Sequence, residues 1–104
     1  MGGFGETKNK KRVPSKRLLK LSEKELKSTS IENHLNGNLK NAENGYITFI
    51  NKGYSDADIY SNYALICQEK GETNKAIRLY ETCTSKFPYH IYSKLNLAFL
   101  YYKL

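Results

Sequence analysis

Residues 71–88 read Gly-Glu-Thr-Asn-Lys-Ala-Ile-Arg-Leu-Tyr-Glu-Thr-Cys-Thr-Ser-Lys-Phe-Pro. Ala76, Ile77, Tyr80 and Cys83 fall on one face at helical spacing, which predicts a helix from about Thr73 to Lys86 that Phe87-Pro88 brings to an end. Gly71, just before it, suits the left-handed residue that closes a preceding helix. The same phase appears 34 residues earlier, with Gly37, Ala42 and Tyr46 in the places of Gly71, Ala76 and Tyr80. It continues 34 residues after Tyr63-Ala64-x2-Cys67 as Leu97-Ala98-x2-Tyr101. A fixed period of this length means one helical hairpin stacked on copies of itself, an architecture that presents a surface for binding.

Working outward, Ser55 and Asp58 form an S-x-x-D cap ahead of Tyr60, Tyr63, Ala64 and Cys67, which predicts the first helix of the clearest hairpin. Ala64 and Ala76 are small where two helices cross closely. Upstream, Ser22-x-x-Glu25 has the form of a capping box and opens a weaker helix carrying Leu26, Ile31 and Leu35, closed by Gly37. Its partner, about Leu39 to Asn51, turns Ala42, Tyr46, Phe49 and Ile50 inward. Gly45 within it costs about 1 kcal/mol relative to alanine. A fifth helix begins at Ile91, with Leu97, Ala98 and Tyr101 expected to pack backward and Phe99, Leu100 and Tyr102 to face outward. The expected fold is all-α: about five antiparallel helices in two and a half repeats, over residues 22–104.

The chain has 104 residues, a net charge of +7, 39% hydrophobic side chains, nine tyrosines, four phenylalanines and no tryptophan. The charge is concentrated in residues 1–21. There Lys8, Lys10, Lys11, Arg12, Lys16, Arg17 and Lys20 stand against Glu6 alone, while the rest of the chain is nearly neutral. With Gly2, Gly3, Gly5 and Pro14 interrupting it, this stretch reads as a disordered basic arm. Two cysteines do not make a disulfide framework, and no apolar run is long enough for a membrane span or a secretory signal, so a reducing, cytoplasmic location is expected.

These residues resemble the tetratricopeptide repeat. The 34-residue period, the glycine closing the first helix, the Ala-x3-Tyr of the second and the terminating Pro88 carry the likeness. Residues 57–90 form the clear repeat, 23–56 a degenerate one and 91–104 half of one. The opening Met-Gly-Gly-Phe-Gly-Glu, the lysine-rich arm and Tyr60-Ser61-Asn62-Tyr63 also resemble the N-terminal region of marine cyanobacterial tetratricopeptide proteins. That likeness implies a truncated N-terminal region of a larger transferase.

The resemblance implies a noncatalytic scaffold whose first helices line a concave groove for a peptide or partner helix. Off the packed stripe on those helices lie Lys24, Lys27, Ser28 and Ile31, then Asp58, Ser61, Asn62, Leu65 and Gln68, then Tyr92, Leu95, Asn96 and Phe99. Asn62 and Asn96, one period apart, match a ladder that relatives use on a peptide backbone; the opposing reading is two asparagines bonded locally. The family's clamp for a C-terminal carboxylate is only partly present, since Lys27 and Asn62 match while Ile31, Tyr92 and Asn96 do not.

Other classes find less support. The basic arm, Lys8 through Lys20, could serve nucleic acid, a ribosome or an anionic membrane surface through its charge, but it lacks interleaved aromatics and a recognition helix. Cys67 and Cys83 face the hairpin interior as small apolar residues. His34 and His90 have no Cys or carboxylate at metal-ligand spacing, and no Ser/His/Asp set or phosphate-binding loop is apparent, so no enzyme activity, metal or cofactor is expected. The apolar outer face of the last helix predicts self-association there.

Overall fold

The computed structural model describes residues 15–103. They form six helices and, among the described residues, no strand: α1 Lys16–Lys20, α2 Glu23–Leu35, α3 Leu39–Asn51, α4 Ala57–Glu69, α5 Thr73–Lys86 and α6 Ile91–Lys103. Consecutive helices α2 to α6 pack on one another, so α2/α3 and α4/α5 are hairpins and α6 packs on α5. Lys8, Lys10, Lys11 and Arg12 of the expected arm lie outside the described residues.

The punctuation of the chain explains the hairpins. Gly37, Gly53 and Gly71 each hold φ between 82° and 87°, a left-handed conformation that turns the chain at the ends of α2, α3 and α4. Ser22 accepts from the Glu25 N–H at 3.1 Å while the Glu25 carboxylate accepts from the Ser22 N–H at 2.9 Å, completing the capping box. These bonds hold the Glu25 carboxyl below its ordinary pKa. At α4 the cap is Asp56, whose carboxylate accepts from the Ile59 N–H at 3.1 Å, rather than the expected pair Ser55 and Asp58. An ionised acceptor stabilises helix-start donors more strongly than a hydroxyl and also meets the positive end of the helix dipole.

One core runs through the stack. Ala42, Tyr46 and Phe49 of α3, Ala64 and Cys67 of α4, and Ala76, Tyr80 and Cys83 of α5 are all fully buried. The central helix α4 is covered from both sides, so its buried stripe is wider than a single amphipathic face and takes in Ile59 and Ile66 as well. Gly45 has a packing reason. A Cβ there would overlap the Ser30 hydroxyl and crowd its Cβ at 2.8 Å, so the glycine is what lets α2 and α3 close. Ser30 itself is 1% exposed, and its hydroxyl has no hydrogen-bond partner.

Three expectations are corrected. Residues 16–20, assigned to the disordered arm, are helical: Ser15 caps α1, Leu18 and Leu21 pack on the core, and the Lys52 ammonium donates to the carbonyls of Leu19 and Leu21 at 3.0 and 3.1 Å. Leu35, counted in the apolar pattern of α2, is 82% exposed, and the buried side chains of α2 are Leu26 and Ser30. In α6 the register differs. Leu100 and Ser93 are buried, whereas Ala98 is exposed and Tyr101 is 49% exposed with its hydroxyl donating to Glu81. The face of α6 that meets α5 decides burial. Leu97 packs on the core as expected, while Lys94, Ala98 and Tyr101, at the other positions of the stripe that α4 buries, have no second helix over them among the described residues.

Candidate interaction face

Helices α2, α4 and α6 stand at corresponding places in the repeat, so residues 34 apart share a face. Ile31, Leu65 and Phe99 are one such set. Ile31 and Leu65 are half-buried, and Phe99 is 53% exposed under the Lys103 ammonium at 5.1 Å from its ring. On the same side α6 adds Tyr92 and Leu95, 72% and 62% exposed. The expected groove residues therefore include an apolar ladder that becomes more open toward α6.

Beside the ladder runs a line of charge. The Lys27 ammonium lies 2.7 Å from the Asp56 carboxylate and 3.6 Å from that of Asp58, and Asp58 in turn lies 3.3 Å from His90 Nε2. The hydrogen bond to Asp56, ahead of the other attractions, raises the Lys27 pKa. Lys27 and Asp58 are thus engaged with each other across first helices. Ser61 is buried and contributes no free surface.

The asparagines face buried tyrosines. The Tyr46 hydroxyl lies 2.8 Å from His34 Nδ1, and the Asn62 side chain stands near enough to favour its phenolate. One period later the Tyr80 hydroxyl donates to Gln68 Oε1 at 3.2 Å, and the Asn96 side chain stands near enough to favour its phenolate. Both rings are fully buried, and burial pushes each phenol up to about 12. Each second-helix tyrosine therefore bonds the residue 12 before it and faces the residue 16 after it, on the next first helix. Two tyrosines, each flanked by polar side chains at these spacings, were the signal in the sequence for this arrangement.

Histidine 90 corrects a further expectation. The fold gathers Asp58, His90, Ser93 and Cys83: His90 Nδ1 lies 2.8 Å from Ser93 Oγ, which donates to Cys83 Sγ at 2.9 Å. An Asp/His/Ser order is therefore present where the sequence suggested none. Its placement is that of a helix cap, since Ser93 N–H also points to His90 Nδ1 at 3.4 Å in the first turn of α6. Ser93 is fully buried, so no substrate carbonyl can reach its hydroxyl.

Among the described residues the ligand atoms of Glu43, Cys67 and Glu72 lie within 4.8 Å of one another. The Lys70 ammonium already stands 3.1 Å from Glu43 and 3.7 Å from Glu72, supplying the positive charge that a metal ion would bring. Burial pushes the Cys67 thiol up to about 11, which opposes the thiolate a metal needs. The structure also shows a cleft of about 510 Å³ that the sequence did not suggest, between α1, α2 and α3, lined by Arg17, Glu32, Asn33, Asn36, Asn41 and Asn44 among others. Lys16, Arg17 and Lys20 of the arm lie on α1 at its edge or on neighbouring turns. No helix among the described residues is long and apolar enough to cross a membrane. No family model, no curated protein and no solved structure matches the chain.

Proposed function

We propose that this chain is a noncatalytic interaction module of the tetratricopeptide kind, which binds a peptide or partner helix along the face shared by α2, α4 and α6. The observation that carries the reading is the ladder Ile31, Leu65 and Phe99, set at identical places in three successive first helices and opening toward exposed Tyr92 and Leu95. Apolar side chains left on one side of a solenoid, rimmed by Lys27 and Asp58, suit a segment with apolar anchors at helical or extended spacing. Asn62 and Asn96 are read as supports of that face, because their amides face Tyr46 and Tyr80.

The test is selection from a random peptide display library against the full chain, followed by affinity measurement on the variants Leu65→Glu and Phe99→Glu. Both sites are at least partly exposed, so the helices should persist in far-ultraviolet circular dichroism. The proposal expects apolar-anchored peptides whose affinity falls at least tenfold on either variant and hardly changes with salt. Binders that ignore both substitutions, or that are lost as salt rises and on removal of residues 1–14, would favour the basic arm instead.

A further inference from the structure

The edge of α6 is distinct from the shared face and carries a separate inference. In α4 the stripe Tyr60, Tyr63, Ala64 and Cys67 is buried to 8% exposure or less, with α5 packed on the helix. One period later the same stripe reads Lys94, Leu97, Ala98 and Tyr101. There Lys94, Ala98 and Tyr101 are exposed and Leu97 is only half-buried. The small residue that permits close helix crossing in α4 is thus repeated on α6 with no helix across from it among the described residues.

This stripe is self-complementary when reversed. Set a copy of α6 antiparallel to the first, with a two-fold axis between residues 97 and 98. Leu97 then meets Ala98 of the second copy, a large side chain against a small one. Lys94 meets the Tyr101 ring of the second copy, and the Glu81 carboxylate that accepts from the Tyr101 hydroxyl stands beside it. The ammonium gains both an aromatic face and an opposite charge. Helix α6 carries Lys94 and Lys103 and no acidic residue, so the negative partner has to come from α5, and Glu81 is placed on the flank where a reversed Lys94 arrives. We propose that two copies of this chain pair isologously through this stripe of α6, each supplying Leu97 and Ala98 to the centre and Lys94 to the Tyr101–Glu81 contact of the other. A single helix pair buries less than the roughly 1,200 Å² of a typical stable complex, so the dimer is weak and appears with concentration.

Sedimentation equilibrium of the full chain from micromolar to millimolar concentration tests this. The expected result is a reversible monomer–dimer equilibrium with no larger species. Ala98→Glu, at an exposed site, should leave the circular dichroism spectrum unchanged and the chain monomeric throughout. Lys94→Glu should weaken the dimer tenfold or more by facing Glu81, and adding Glu81→Lys to it should restore the association. A wild-type chain that stays monomeric over the whole range overturns the proposal, as it would if the stripe served a helix of another protein. So does an Ala98→Glu variant that still dimerises. Peptide binding on the shared face is read separately, so either idea can fail alone.

Discussion

At the scale of single residues, the chain relies on a few buried polar atoms whose partners recur with the period. The Tyr46 hydroxyl is engaged by His34 and the Tyr80 hydroxyl by Gln68, and Tyr→Phe at either position removes that bond without opening a cavity. Each substitution should cost on the order of 1–2 kcal/mol in chemical denaturation, since a hydrogen bond contributes about 1 kcal/mol net and its abandoned partners can turn to water. Ser30 makes the opposite case. Its hydroxyl is buried without a partner, so Ser30→Ala should stabilise the chain by about 1 kcal/mol, whereas Gly45→Ala should destabilise it despite alanine's better helix propensity.

Histidine 34 gives the residue scale a pH dependence. Burial lowers its pKa below the ordinary value of 6.5, with the Glu69 carboxylate opposing. The folded state therefore resists the proton that the unfolded chain accepts, and stability falls as pH drops through and below 6.5. Gln68 occupies the corresponding place in the next hairpin and also bonds a tyrosine hydroxyl. Thermal melts of His34→Gln between pH 8 and pH 5 should accordingly lose less stability on acidification than the wild type, an expectation that equal slopes would remove.

At the scale of elements, much of the architecture was legible. Glycine positions, the Ser22 capping box and the 34-residue phase predict α2 to α6; α2, α3 and α4 close where Gly37, Gly53 and Gly71 take positive φ, and α5 closes at Phe87. What escaped sequence reasoning has particular causes. The register of α6 follows chiefly from contact with α5, so Leu100 is inward and Ala98 is not, whereas a repeat pattern assigns inward positions as if helices lay on both sides. Helix α1 is five residues long, too short to be stable alone, and forms because Leu18 and Leu21 dock and Lys52 holds its carbonyls. Lys52→Met should free α1, seen as faster amide exchange at residues 18–21 with little change in the rest of the stack. Of the candidate site, the choice of face could be read from the period, but not that Asn62, Asn96 and Gln68 face tyrosine hydroxyls or that Lys27 pairs with Asp56. Those contacts depend on how successive hairpins rotate against each other.

At the scale of the whole molecule, α4 is the keystone: covered on both sides, it carries Leu65 at the middle of the ladder and Asn62 facing Tyr46 of α3. The apolar ladder gains exposure from Ile31 to Phe99, so under the proposed function the strongest anchor for a ligand lies on α6. The edge of that same helix is where a second copy is proposed to sit. The two proposals thus use two sides of one helix, and a ligand that stiffens α6 should also favour pairing.

In the proposed function the shared face of the first helices is the binding surface. The most direct test is chemical-shift mapping on the isotope-labelled chain titrated with a selected apolar-anchored peptide, below the concentration at which copies associate. The account predicts that the largest amide and methyl shifts follow Ile31, Leu65, Leu95 and Phe99. Shifts confined to residues 8–20, or to the outer face of α5 around Arg78 and Thr82, would contradict it.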